Sequence, residues 1–310
     1  MNDAPLFAEV ADGPADGRAV WLDAGGVRIR AAIWNANAAN GTVFVLPGRT
    51  EYVEKYGRAA TELGHHGFAT LSIDWRGQGM ADRALLDKMS GHVGNFDEYQ
   101  TDLDTLIAFA KSQGLPRPFY LIAHSMGGCI GLRALLRGSD FNAVAFSAPM
   151  WGILITAWMK PIASILSTAS RMFSFDHRYA PGTNASTYVI AAPFVGNTLT
   201  TDPEMWDYMR QQAVAHPDLS LGGPTYAWVR AALIECHALT LLKSPATPAI
   251  CALGTREGVV DSRPIHARMA KWSNGRLDLY PGSEHEVMME RPETRNTFLR
   301  RAAELFGANR

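Results

Sequence analysis

Short apolar runs alternate with stretches of helical periodicity over roughly the first half of the chain. The apolar runs predict strands at residues 27–33, 42–46, 68–73, 119–123 and 142–146. Apolar residues three and four positions apart predict helices at 52–63, at 96–111 and directly after Ser125. Strands that alternate with helices of this length predict an α/β fold, in which a mostly parallel sheet is covered by helices on both faces.

The alternation stops near residue 150 and resumes near residue 249. The intervening stretch is rich in Trp, Met, Ile and Leu, and prolines interrupt its helical spacing. Beyond it the pattern predicts strands at 249–253 and 276–280 and helices at 264–272 and 292–306. We therefore expect a core made of residues 1–149 and 243–310, with a helical cap at 150–242. The cap should lie at the carboxyl edge of the sheet, where ligands bind in open α/β folds.

A serine between small residues follows the predicted strand 119–123. Ala123 and Gly127 stand two positions before and two after Ser125, and a helical pattern follows at once. This layout is typical of a nucleophile elbow, a tight strand-to-helix turn that exposes a serine hydroxyl. Taken alone, the motif is equally consistent with a serine at an ordinary helix N-cap.

An acid and a histidine follow this serine in the order expected of a catalytic triad. Glu257 comes after the predicted strand 249–253, and His285 comes after the strand 276–280. Because parallel strands end at the same edge of a sheet, Ser125, Glu257 and His285 are expected to meet there. Asp261 is an alternative acid, although its position favours the N-cap of the next helix. His124 is expected to support the turn rather than to act as a base.

Acyl transfer also needs hydrogen-bond donors for a developing oxyanion. One expected donor is the backbone N–H of Met126, directly after the serine. The other is the backbone N–H of Arg49, in the loop 47–51 that follows the predicted strand 42–46. Gly48 would let that loop approach the site closely.

Composition narrows the class of protein further. The 310 residues are 47% hydrophobic and 19% charged, with a net charge of −1, so nothing indicates a nucleic-acid partner. The three cysteines lie far apart in apolar runs, which indicates buried thiols rather than disulfides or a metal site. No secretory signal and no apolar run long enough to cross a bilayer are recognised. We expect a cytoplasmic protein, free or peripheral to the inner membrane, that needs no metal or organic cofactor.

Several segments together resemble the monoacylglycerol lipase and bacterial lysophospholipase branch of the α/β-hydrolases. The likeness rests on residues 123–128, 47–51 and 74–79 in the core. It rests also on 148–153 and 222–230 in the predicted cap, and on the acid loop 257–261. It spans about residues 20–306, and only the cap segments favour the lysophospholipases over other esterases. The resemblance implies a serine ester hydrolase whose small-molecule partner is an acyl ester or a lysolipid.

Residues of the predicted cap are candidates for substrate contact. Trp151, Ile153 and Trp158 either line a channel for an alkyl chain or only pack the cap helices together. Arg230 or Lys160 is a candidate for a phosphate headgroup. A thioesterase, a peptidase, a carbon–carbon bond hydrolase and a non-catalytic ligand receptor remain alternatives on the same fold. The sequence predicts neither the acyl chain length nor the oligomeric state.

Overall fold

The computed structural model describes residues 2–154 and 175–310. Within these residues nine strands form one sheet in the order β1-β2-β3-β5-β4-β6-β7-β8-β9. The pairs β1–β2, β2–β3 and β3–β5 are antiparallel, and the other pairs are parallel. The strands are β1 Asn2–Ala4, β2 Arg18–Asp23, β3 Arg28–Trp34, β4 Thr42–Leu46, β5 Ala69–Asp74, β6 Phe119–His124, β7 Ala143–Ser147, β8 Ala249–Gly254 and β9 Gly275–Tyr280.

Helices connect these strands. They are α1 Ala8–Ala11, α2 Gly57–His65, α3 Asp97–Ser112, α4 Ser125–Leu136, α5 Tyr188–Ala191, α6 Pro203–Ala215, α7 Tyr226–Thr240, α8 Ser262–Met269 and α9 Pro292–Gly307. Short 3-10 helices occur at Val53–Tyr56, Pro217–Leu219 and Val287–Met289. The helix expected over 52–63 is therefore divided, since Val53–Tyr56 is a 3-10 turn and α2 begins only at Gly57.

The central strands are buried on both faces, and each strand contributes to both halves of the core. Every residue of β4, β5, β6, β7 and β8 is buried. Because side chains alternate along a strand, Phe44 and Leu46 join one hydrophobic cluster while Val43 and Val45 join the other. The first cluster includes residues of α3, α4, α7 and α8, and the second includes residues of α2, α6 and α9. This confirms the predicted α/β layering.

Strands β1 and β2, at the amino-terminal edge of the sheet, were not predicted. β1 pairs antiparallel with β2, β2 with β3, and β3 with β5. The burial of β2 is mixed, since Arg18 and Asp23 at its two ends are exposed and only Ala19 and Val20 are buried. A strand so weakly marked by apolar residues is hard to recognise in a sequence.

The long segment between β7 and β8 leaves the sheet and returns to the neighbouring position. The two strands pair in parallel, Val144 opposite Ala249. Helices α6 and α7 of this segment are not a detached layer, because Met205 of α6 and Trp228 of α7 belong to the two core clusters. Among the helices of the described ranges, none has the length and apolar character of a membrane span.

Candidate active site

Ser125 lies at a strained turn between strand and helix. Strand β6 ends at His124, and α4 begins at Ser125, whose φ is 48°. A left-handed conformation is costly for a residue other than glycine and persists where the surrounding structure enforces it. Gly127 explains the tightness of the turn, since a Cβ there would lie 2.3 Å from the carbonyl oxygen of Leu46. The turn therefore packs directly against the end of β4.

Glu257 and His285 form a buried pair at the same edge of the sheet. The Nδ1 atom of His285 lies 2.7 Å from Oε2 of Glu257, and both side chains are 3% exposed. The other oxygen of Glu257 accepts hydrogen bonds from the backbone N–H groups of Val259 at 2.7 Å and Val260 at 2.9 Å. Burial acts to raise the pKa of Glu257, but these hydrogen bonds and His285 outweigh it and lower that pKa. The pairing leaves Nε2 as the ring atom that can exchange a proton with a nucleophile.

Asp261, the alternative acid, has a different environment. It is the N-cap residue of α8, and its carboxylate accepts a hydrogen bond from the backbone N–H of Arg263 at 3.1 Å. The same carboxylate lies 2.6 Å from Nη2 of Arg263. Of the two acids, Glu257 is thus the one whose hydrogen bond to His285 is observed.

One cavity joins the serine and the histidine. Its volume is about 460 Å³, and both Ser125 and His285 lie in its wall. Much of the remaining lining is apolar and comes from three parts of the chain. It includes Met150, Ile153, Val189, Leu199, Met209, Val259 and Val260. The arrangement can hold an apolar chain beside a serine hydroxyl and an imidazole.

The two expected oxyanion donors belong to helix α4 and to the loop after β4. Met126 is in the first turn of α4, where backbone N–H groups have no partner within the helix. Arg49 belongs to the loop after β4 and lines the same cavity as Ser125. The preceding Gly48 donates its N–H to the Glu51 carboxylate, a hydrogen bond within this loop.

A buried charged cluster in the wall of the same cavity was not predicted. The Nζ atom of Lys55 lies 2.7 Å from Oε1 of Glu51 and also bonds to the Glu286 carboxylate. Burial alone would raise the pKa of Glu51, but the charges of Lys55 and His124 lower it to about 2. The only hint in the sequence is the spacing of four between Glu51 and Lys55.

His124 belongs to the same cluster and supports the turn. Its Nδ1 lies 3.0 Å from the carbonyl oxygen of Ser147, and its ring centroid lies 4.8 Å from that of His285. Burial lowers the pKa of His124 to about 3, so the ring is neutral near pH 7. Glu51, His124 and Glu286 are close enough to share a metal ion, but the Lys55 ammonium bonds to both of these carboxylates.

The residues expected to contact the substrate do not all line the cavity that holds Ser125. Ile153 lines the cavity with Ser125. Trp151 does not, because it is buried in the core and donates its Nε1–H to the Gly128 carbonyl at 3.1 Å. Arg230 lines a separate cavity together with His92. Trp158 and Lys160 lie outside the described residues.

Known proteins resemble this chain in sequence and in fold. A family model described as serine aminopeptidase, S33, matches residues 37–292. Lysophospholipase L2 of Escherichia coli is 33% identical over 293 residues, which cover 90% of this chain and 84% of that protein. Probable lysophospholipase L2 of Haemophilus influenzae is 27% identical, covering 85% and 83%. A soluble variant of Saccharomyces cerevisiae monoglyceride lipase superposes with a TM-score of 0.72 at 17% identity, covering 94% of each chain. That likeness shows the α/β-hydrolase fold.

Proposed function

The chain belongs to the serine aminopeptidase S33 family, and on this premise we propose that it is a serine hydrolase that cleaves the carboxylic ester of single-chain acyl lipids. The substrates are lysophospholipids or monoacylglycerols. The proposed catalytic residues are Ser125, His285 and Glu257, and the proposed oxyanion donors are the backbone N–H groups of Met126 and Arg49.

The proposed reaction runs through an acyl-enzyme. Nε2 of His285 accepts the proton of the Ser125 hydroxyl as its oxygen attacks the ester carbonyl. The two backbone N–H groups hold the oxyanion, and His285 then protonates the leaving alcohol. Water, deprotonated by the same imidazole, attacks the acyl carbonyl; the bond to Ser125 then breaks, the fatty acid leaves, and His285 returns the proton to the Ser125 oxygen. Glu257 holds the ring in the required tautomer and stabilises the imidazolium.

The observation that carries this proposal is the shared cavity. A serine at a strained turn and a carboxylate-bound histidine lie in one wall, beside a largely apolar lining. Ester hydrolysis needs the serine and the histidine, and the apolar lining accommodates an acyl chain. The 33% identity to a lysophospholipase over 90% of the chain supports a lipid rather than a peptide substrate.

We also propose that residues 150–242 cover the site as a cap on a core of residues 1–149 and 243–310. Several residues of this segment line the cavity with Ser125, among them Ile153, Val189 and Met209. Since single-chain lipids reside in membranes, the proposed place of action is the cytoplasmic surface of the inner membrane. Cell fractionation with an antibody to the protein tests this, and recovery only in the soluble fraction would contradict the membrane contact.

The direct test compares substrate classes on one preparation. Purified protein is incubated with lysophosphatidylcholine, monoacylglycerol, an acyl thioester and an aminoacyl anilide, and products are quantified. We expect fatty acid release from the lipid esters, abolished in Ser125→Ala and retained in Ser112→Ala, a serine remote from the site in helix α3. Preferred cleavage of the anilide would indicate a peptidase instead. Micromolar binding without turnover of any substrate would indicate a receptor.

A further inference from the structure

The cavity contains a positively charged side chain that the proposed triad does not use. Arg49 contributes to the wall that holds Ser125 and His285. Its Nη2 donates to the carbonyl oxygen of Gly222, and its guanidinium carbon lies 5.4 Å from the centroid of the Trp228 ring. The Nε atom is fully buried and has no hydrogen-bond partner among the described residues. A guanidinium has five N–H donors, so these contacts leave donors unused.

Arg49 also has no ion-pair partner among the described residues, although Glu51 and Glu286 line the same cavity. Within residues 2–154 and 175–310, no carboxylate forms an ion pair with it at 4.0 Å or less. The remaining segment, 155–174, contains no Asp or Glu at all. Burial lowers the pKa of Arg49 to about 10, which still leaves the group protonated at neutral pH. A cation–π contact with Trp228 is attractive but supplies no negative charge.

Arg30, a fully buried arginine of the same fold, shows how a buried positive charge is usually balanced. The side chain of Arg30 is fully buried, with its Nε 2.8 Å from Asp74 and its Nη2 2.7 Å from Glu54. Buried charges are generally paired in this way because an unpaired one is costly. Arg49 is half-buried in the wall of a cavity and forms no ion pair with a carboxylate of the described residues, so it is suited to an anion that arrives from outside.

We propose that the Arg49 side chain binds the phosphate group of a single-chain phospholipid while the backbone N–H of the same residue holds the ester oxyanion. This inference rests on the proposed function. The glycerol unit that separates the ester from the phosphate is a spacer of the same order of length as an arginine side chain. One residue can thus contact both ends of that spacer. The planar guanidinium is well matched to phosphate oxygens.

The test is a ratio of specificity constants. The ratio is kcat/KM for lysophosphatidylcholine or lysophosphatidylglycerol over kcat/KM for monoacylglycerol with the same acyl chain. In Arg49→Met we expect this ratio to fall at least about tenfold, the size expected for a lost hydrogen bond to a charged group. Arg49→Lys should restore part of the ratio, since it keeps the charge but loses the fork of donors. An equal fall for all three lipids would overturn the inference and leave the proposed function standing.

The chain provides a matched control in Arg268. It also lies over a tryptophan, 5.6 Å from the Trp151 ring, and donates to a backbone carbonyl, that of Leu239. It lines a different cavity from Ser125, so Arg268→Met should leave the ratio unchanged. A fall of the ratio in this variant equal to that in Arg49→Met would overturn the assignment to Arg49.

Inhibition of the wild-type protein keeps the inference testable if the variants do not fold. Glycerol 3-phosphate should inhibit monoacylglycerol hydrolysis competitively, and glycerol at equal ionic strength should not. No inhibition by glycerol 3-phosphate would overturn the inference. If inorganic phosphate inhibits as strongly while Arg49→Met leaves the lipid ratio unchanged, the site serves free phosphate and the lipid assignment is wrong. Absence of turnover of every lipid by the wild type would instead overturn the proposed function.

Discussion

Replacing Glu257 by Gln tests the role of the acid with almost no change of shape. The substitution removes a charge whose oxygen lies 2.7 Å from Nδ1 of His285. Both side chains are 3% exposed, so water screens the interaction weakly. When His285 becomes an imidazolium in the reaction, the lost attraction is about 4 kcal/mol for unit charges about 4 Å apart at an effective dielectric constant of about 20. At 1.36 kcal/mol for each factor of ten, kcat should fall about 10³-fold.

The assay is steady-state release of fatty acid from lysophosphatidylcholine, with the melting temperature as a check on folding. Asp261→Asn is the matched control, because Asn is also a good N-cap and the helix should be little affected. We expect Asp261→Asn to keep kcat within about threefold of the wild type, since the change lies outside the histidine pair. A folded Glu257→Gln variant that kept more than a tenth of kcat would contradict the proposed role of Glu257, as would a greater loss of activity in Asp261→Asn than in Glu257→Gln.

Three further predictions concern the support of the site. Gly127→Val places a Cβ 2.3 Å from the Leu46 carbonyl oxygen. The free energy of unfolding, measured with urea, should fall by about 1–3 kcal/mol. An unchanged urea midpoint would contradict the close packing of Gly127 against β4. Lys55→Met leaves the buried carboxylates of Glu51 and Glu286 without their ammonium partner. The free energy of unfolding should fall by about 3–5 kcal/mol by the same method. An unchanged value would contradict the ion pairs of Lys55. The pKa of His124 is lowered to about 3, so between pH 3 and 6.5 the ring takes up a proton only on unfolding. Its contribution to the free energy of unfolding is therefore present above pH 6.5 and is lost as pH falls toward 3, at up to about 1.4 kcal/mol per pH unit. His124→Asn should flatten the dependence of the free energy of unfolding on pH between about 7 and about 5, and an unchanged slope would contradict this.

The position of the candidate site could be predicted because local patterns determine it. Strand β6 runs directly into α4 at Ser125, and a positive φ at that junction is what the small neighbours Ala123 and Gly127 suggest. Glu257 and His285 follow β8 and β9, and parallel pairing of those strands brings their loops to one edge. The order of these residues along the chain and the alternation of strands and helices were therefore sufficient to predict where the candidate site lies.

Tertiary packing determines what the sequence did not predict. The bond between Lys55 and Glu286 joins residues 231 positions apart, and no local pattern indicates such a contact. Trp151 shows the same limit, because an aromatic side chain near a site is equally suited to the core, where it stacks on Trp272. The side chain of Arg49 became significant only when it was known that no carboxylate of the described residues forms an ion pair with it.

The central claim, that Ser125 is the nucleophile, is tested most directly by covalent labelling. The protein is treated with an alkyl fluorophosphonate, digested, and mapped by mass spectrometry. We expect a single stoichiometric adduct on Ser125, which is absent from Ser125→Ala and forms much more slowly in Glu257→Gln. An unlabelled wild type, or an adduct on another residue that persists in Ser125→Ala, would contradict the assignment of Ser125 as the nucleophile.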